Sequence, residues 1–526
     1  MRIAAKIVLF EKIHGTAKVQ CMFENSVSAQ PGRFIVKIIV IGSGFGGLTA
    51  AIRLRAKGYD VEVVEKRDKP GGRAYVYEQD GFVFDGGPTI ITAPWLIHDL
   101  FELCGKKTDD YVNIVPIDPF YNVRFQDGTV FRYNGKREEV IEQIRSFNPD
   151  DVQGYERFYS KTAAIFKAGF NLIDQPFTKL TDMLSVLPDL IRLRSDRSVA
   201  AFVNSHIKDH RLRQVFSFHP LLVGGNPFQT TSIYALIHKL EQEWGVWFAM
   251  GGTGALVKAL VKLFQDIGGT IRYNCEVEGM LIDDHTGRAI VRGVRLKSGE
   301  VLESDRVVCN ADVAQAYLSL VPAKYRKKNT NKKIAKTRYS MSLFVMYFGT
   351  DKQYPDMAHH EILMGPRYKE LVEDIFTKKH LADDFSLYLH RPTATDPSLA
   401  PQGCDSWYVL SPVPHLESGT DWSTMRKVYR DRIVAELEKR YMPDLSKHII
   451  SEHIIDPVHF RDELSSYLGS AFSVEPILFQ SAWWRPHNKS EDVDGLYFVG
   501  AGTHPGAGLP GVMSSGTIAA RMISQF

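Results

Sequence analysis

The run Gly42-Ser43-Gly44-Phe45-Gly46-Gly47 carries the spacing GxGxxG at Gly42, Gly44 and Gly47. That spacing suits a dinucleotide. Gly42 permits a tight turn, Gly44 lets backbone amides approach a pyrophosphate, and Gly47 lets a helix pack on the preceding strand. The helix that opens there offers its N-terminus to the anion. Glu65 stands at the spacing of an acid that accepts hydrogen bonds from ribose hydroxyls and repels the extra phosphate of NADP. A second glycine pair follows in Lys66-Arg67-Asp68-Lys69-Pro70-Gly71-Gly72-Arg73, where Lys66, Gly72 and Arg73 can approach a cofactor lying across the sheet edge. An NAD enzyme has no need of this. At the far end of the chain, Gly495 to His504 reads as a strand ending in Gly500 and Gly502, and a helical pattern from Gly511 and Val512 follows. Its N-terminal dipole can face the reduced N1 region of a flavin. Together the segments point to FAD, against the plainer readings of a ligand-free glycine turn and a structural C-terminal hairpin.

The elements that must hold these residues are legible around them. Lys37-Ile38-Ile39-Val40-Ile41 is a β-branched run suited to a buried parallel strand. Leu48, Ala51, Ile52 and Leu54 take helical spacing, Gly58 ends the helix, and Val61-Glu62-Val63-Val64 returns to strand chemistry. This is one right-handed βαβ unit, implying an α/β fold of doubly wound, Rossmann-like type with helices on the faces of a parallel sheet. From about Asn148 to Trp247 strand signals fade, and the reading is of helices broken by Pro176, Pro188, Pro220 and Pro227. Strand-like runs resume at 269–274, 293–296, 306–310, 342–348 and 386–389.

Composition excludes other classes. The chain has 526 residues, 44% hydrophobic and 24% charged, enough for two or three domains around a large core. A net charge of +3 gives no reason to expect nucleic acid. Five scattered cysteines form no CxxC pair and no metal spacing, so a reducing, cytoplasmic setting and no metal are expected. No run reaches the ~18 apolar residues of a membrane span, so membrane contact would be peripheral. The first 33 residues read as an N-terminal extension; their apolar start is a poor signal peptide, because Lys6 splits it and Glu11 follows.

With these segments placed, the chain resembles the FAD-dependent amine oxidase-like superfamily and, within it, the bacterial-type phytoene desaturases of carotenoid biosynthesis. The blocks that carry the resemblance include 69–75, 84–89, 216–219, 222–227 and 500–508, together with Trp244-Gly245-Val246-Trp247-Phe248 and Ser470-Ala471-Phe472-Ser473-Val474-Glu475-Pro476. The likeness implies non-covalent FAD and conversion of 15-cis-phytoene to all-trans-lycopene or a less desaturated product, with quinone or oxygen reoxidising the flavin. It also implies a divided FAD domain (34–120, 250–336 and 481–526), a mixed-sheet substrate domain (121–149 and 337–480) and a helical membrane-associating insertion (150–249). By the same likeness Val277 would meet the adenine end through its backbone.

Dehydrogenation of a C–C bond needs a hydride acceptor and a proton acceptor. Asp151 and Arg157 are candidates for the proton and the developing charge, and Asp151→Asn is then expected to keep FAD and slow turnover at least about tenfold. Pro149-Asp150-Asp151 ahead of a helix reads equally as an N-cap. His504 is a further candidate beside the flavin, or a structural histidine. The hydrocarbon would lie among aromatics such as Phe216, Phe218, Trp244 and Trp247. Leu184 to Arg194 alternates apolar and basic residues and could rest on a bilayer or pack on its own domain. The rival functions are a carotene isomerase, a desaturase of another polyene, and a non-catalytic lipid escort on the same flavin fold.

Overall fold

The computed structural model describes residues 36–170, 173–285 and 287–525. The N-terminal extension and the signal-peptide question lie outside these residues. Five parallel strands form the first sheet: β1 (Lys37–Ile41), β2 (Asp60–Val64), β3 (Thr270–Arg272), β4 (Arg306–Cys309) and β5 (Leu496–Phe498), in the order β5-β4-β1-β2-β3. The expected βαβ unit is present, with helix α1 at Phe45–Ala56 between β1 and β2. Ile38, Ile39 and Val40 are fully buried, as a central strand covered on both faces requires.

The two faces are covered differently. On one side lie α1, the helix Gly252–Asp266 and the C-terminal helix Leu509–Ile523. On the other, Ile39, Ile41, Val307 and Cys309 pack on Met280, Val291, Val294 and Leu302 of a three-stranded antiparallel sheet and on the helix Val313–Leu320. Helices therefore lie on both faces, as expected, and on this face they share the cover with an antiparallel sheet. The alternating apolar residues of Val277–Asp283 and Ile290–Leu296 give the antiparallel sheet one face to bury here.

A second, seven-stranded sheet runs in the order Ile449–Ile455, Ser342–Thr350, Asp405–Val413, Leu387–His390, His360–Leu363, Tyr121–Arg124, Val130–Tyr133. It is antiparallel except where His360–Leu363 meets Tyr121–Arg124. Alternation divides its residues cleanly. Phe344, Met346 and Phe348 pack against Tyr429, Ile433 and Leu437 of the helix Trp422–Arg440, whereas Leu343, Val345 and Tyr347 face the opposite way.

The segment from Asp151 to Trp244 holds α2 (Asp151–Phe170), α3 (Asp182–Arg192) and shorter helices. Pro188 does not break α3 but sits inside it. One lost hydrogen bond is outweighed by the packing of Met183, Val186 and Leu190 with Phe177, Ala482 and Trp483.

The closest helix contact in the first sheet's cover is between α1 and the C-terminal helix. A Cβ on Gly516 would lie 2.7 Å from the Gly46 oxygen and 2.9 Å from the Ala50 nitrogen, both backbone atoms. Gly516→Val is expected to destabilise the fold by about 1–3 kcal/mol through overpacking, read from denaturant unfolding. A stability unchanged from the parent would show that the helices separate without cost.

Candidate functional site

The loop after β1 is closed by backbone. Gly42 has φ of +90° and donates its N–H to the Val64 carbonyl at 2.8 Å, and a Cβ on Gly47 would lie 2.1 Å from the Gly42 oxygen. No side chain caps the first turn of α1, so its amides stay open to an anion. Glu65, at the end of β2, is buried. Its Oε2 accepts from Ser43 N at 2.8 Å and Ser43 Oγ at 2.7 Å, and its Oε1 accepts from Arg67 N at 3.0 Å. Oε1 thus keeps acceptor capacity for a hydroxyl.

From this loop a cavity of about 560 Å³ extends into the space between the sheets. Gly44, Gly72, Arg73, Gly500, Gly511, Val512 and His504 all line it, so segments more than 400 residues apart in sequence meet at one end. The N-terminus of the C-terminal helix borders the same space and has no side-chain cap. Gly42, Gly47, Glu65 and Gly502 stand behind the wall; a Cβ on Gly502 would lie 2.8 Å from both Ser473 Oγ and Val313 Cγ1. Lys66 also stands behind it, donating to the Asp462 carbonyl and to Ser465 Oγ, and burial pulls its ammonium below the ordinary lysine value. Val277 begins a strand opposite Leu296, two residues beyond Cys275, whose N–H reaches the Glu65 carbonyl at 2.8 Å.

Near the glycine loops, Arg67 Nη1, Arg73 Nε and Asp312 Oδ2 of cavity-lining residues are buried without a hydrogen-bond partner among the described residues. Burial lowers the Arg73 guanidinium, and the nearby Asp312 carboxylate opposes that shift. Two uncapped helix N-termini, side-chain-free loops and unmet donors at one end fit a flavin dinucleotide. Two supporting residues carried no sequence signal. Asn310, at the end of β4, fills the space beside Gly44 and Gly46, while buried Arg485 donates to the carbonyls of Val474, Ala501 and Thr503 and fixes the loop after β5.

Away from that end the lining is hydrocarbon and phenol, including Ile165, Leu221, Leu222, Tyr347, Tyr388 and Tyr408. Of the aromatics expected there only Phe218 lines the cavity. Phe216 packs on Tyr155, Phe158 and His238, Trp244 on Trp95 and Phe166, and Trp247 donates to the Trp244 carbonyl. His504 is buried with its ring edge-on to Phe177 at 5.0 Å.

Asp151 and Arg157 are not brought to the cavity. Asp151 is fully buried, its Oδ1 accepting from Lys208 N at 2.6 Å and its Oδ2 from Asp209 N at 2.7 Å and Asn148 Nδ2 at 3.0 Å. The carboxylate is a clamp between the start of α2 and the 208–209 turn, and Arg157 points to solvent from the same helix. Asp151→Asn is therefore expected to cost roughly 2–3 kcal/mol of stability with flavin content per folded molecule unchanged. Denaturant unfolding and flavin absorbance check it; full stability with lost turnover would return Asp151 to the chemistry.

The family described as flavin containing amine oxidoreductase matches residues 45–524. The chain is 51% identical over 481 residues to the lycopene-forming phytoene desaturase of Pantoea ananas, across 90% of this chain and 96% of that one. It is 50% identical to the lycopene-forming enzyme of Pseudescherichia vulneris, covering 93% and 99% of the two chains. With the neurosporene-forming phytoene desaturase of Rhodobacter capsulatus the identity is 45%, covering 93% and 94%. Among solved structures, cyclohexylamine oxidase from Brevibacterium oxydans shares the fold with a TM-score of 0.59 at 15% identity, covering 94% and 99%. The chain belongs to the flavin containing amine oxidoreductases and, within them, to the bacterial phytoene desaturases.

Proposed function

We propose that the chain is an FAD-dependent phytoene desaturase that introduces double bonds into 15-cis-phytoene and forms all-trans-lycopene. The observation that carries this reading is the cavity itself. It is polar and glycine-lined at one end and mostly apolar and aromatic over the rest, so it suits a long substrate with no polar handle. Such a substrate is held by burial alone, at roughly 25 cal/mol per Å² removed from water. FAD, when bound, supplies the two-electron acceptor for hydride.

The protein's own part is orientation. In this reading Gly42, Gly44 and Gly47 with the start of α1 hold the pyrophosphate, Glu65 takes the ribose, and Val277 borders the adenine end, with Lys66 as a tether behind them. Gly72, Arg73, Gly500, Gly502, Gly511 and Val512 shape the ribityl and isoalloxazine end, with His504 beside it. Residues 34–120, 250–336 and 481–526 form the flavin half, 121–149 and 337–480 the substrate half, and 150–249 the insertion. Quinone or oxygen serves as the final electron acceptor.

The insertion also supplies an entry for lipid. On α3, Met183, Val186 and Leu190 line the cavity, whereas Leu184, Leu187 and Ile191 are 66%, 46% and 66% exposed. A helix apolar on both sides, with one side on a cavity and the other uncovered, suits peripheral docking on a bilayer from which substrate is drawn. No described helix is long and apolar enough to cross a membrane.

Two measurements test this. The purified chain, given FAD and phytoene in liposomes with or without quinone, is expected to show polyene absorption moving to longer wavelength as conjugation grows. Retained FAD and phytoene with no spectral change would identify a lipid escort instead. Replacing Leu184, Leu187 and Ile191 by serine is expected to lower recovery with floated liposomes at least about tenfold, since each buried side chain contributes about 1.5–3 kcal/mol. Undiminished flotation would move the docking surface elsewhere.

A further inference from the structure

The sheet face that walls the cavity holds a polar file inside its apolar surroundings. Thr89 lies just beyond Gly86 and Gly87, at the glycine-lined end, and its Oγ1 is 3.1 Å from Tyr388 Oη and 2.7 Å from Tyr408 Oη. Tyr388 Oη is 2.7 Å from Nδ1 of fully buried His360, and His390 Nδ1 lies 3.3 Å from that same nitrogen. His359 joins them, with one ring nitrogen of each histidine within 4.8 Å of the others. On the far side, His359 Nδ1 is 2.6 Å from Oγ1 of Thr395, a residue partly open to solvent. The Nε2 atoms of all three histidines are buried without a partner among the described residues. Unmet polar atoms in such a core are costly unless they serve a purpose or share an ordered water.

Resting on the desaturase reading, we propose that Tyr388 and His360 accept the proton released at each dehydrogenation, and that His359 and Thr395 carry it to solvent. FAD, when bound, would supply the two-electron acceptor for one substrate C–H, lost as hydride with its electron pair. The neighbouring carbon gives its proton to Tyr388 Oη while its C–H electron pair becomes the new π bond, and the Tyr388 hydroxyl proton moves to His360 Nδ1. His360 then releases a proton from Nε2 across the three unpartnered nitrogens, by way of a bridging water, to His359 Nε2. His359 passes one from Nδ1 to Thr395. His390 is a positioning residue that orients the His360 ring.

The chemistry of the site favours this over two alternatives. Burial holds all three imidazoles neutral, His359 at about 3, so each can receive a proton and none retains it. A divalent cation is disfavoured by the Arg391 guanidinium, whose charge acts on His359. Of the cavity carboxylates, Asp189 pairs with Arg192 at the surface and Asp312 caps a helix. Glu241 is fully buried behind Tyr121 Oη at 2.6 Å and His219 Nε2 at 3.1 Å.

The test is anaerobic bleaching of the FAD-loaded chain by phytoene in liposomes, in H2O and D2O. Tyr388→Phe is expected to keep the flavin spectrum and phytoene affinity, to slow bleaching at least about 100-fold, and to abolish its solvent isotope effect. Should that variant fold poorly, His360→Gln is expected to give the same kinetic result. In the flavin-free chain, nitrogen NMR of labelled histidine is expected to show a His360 Nδ1 signal that shifts in Tyr388→Phe. Unchanged bleaching and isotope effect in both variants overturn the relay, as does stoichiometric metal in the purified chain or loss of bleaching in Glu241→Gln alone. A parent chain that never bleaches with phytoene overturns the desaturase reading, and the relay with it.

Discussion

The structure depends on how closely backbone can approach backbone around one side chain, that of Asn310. A Cβ on Gly44 would lie 2.7 Å from its Nδ2, one on Gly46 2.7 Å from its Oδ1, and one on Gly500 3.0 Å from that oxygen. Asn310 follows β4, Gly44 and Gly46 open α1, and Gly500 follows β5, so the amide locks the C-terminal edges of three adjacent strands. The two helix N-termini can border one cavity only because nothing larger than hydrogen stands at these points. The glycine-lined end of the cavity follows from that packing, and the apolar space begins where it stops.

Beyond that end, the seven-stranded sheet does two tasks with one alternation. Its outer face takes the large apolar side chains that bury the helix Trp422–Arg440, and its inner face walls the cavity. A wall made wholly of hydrocarbon would hold a polyene but offer nowhere for a proton to go. The tyrosines and histidines at Tyr388, Tyr408, His360 and His390 occupy inward positions of neighbouring strands, paired in register as His360 with His390 and His390 with Tyr408. Register therefore sets which polar groups touch, since a slip by one residue would turn each to the helix-covered face.

The helical insertion shows how far amphipathic patterning can be read. The alternation at Leu184 to Arg194 left two faces to account for: Met183, Val186 and Leu190 pack inward, whereas Leu184, Leu187 and Ile191 are left uncovered. Asp151 gives the opposite lesson. A carboxylate beside a helix start looked equally like a base or a cap, and its three hydrogen-bond donors, two of them backbone amides more than 50 residues away, make it a clamp between segments.

The sequence by itself determined the first βαβ unit, the dinucleotide loop, Glu65 and the distant glycine-bearing helix, because these rest on local rules: strand and helix periods, and glycine where backbone must pass close. It also carried the family resemblance. What only the tertiary structure decided was which residues face one another across long separations. Asn310 among the glycines, Arg485 behind the last loop, and the tyrosine and histidine file have no signature in spacing. Their roles come from strand register and from burial, which belong to contacts between segments and not to any one segment.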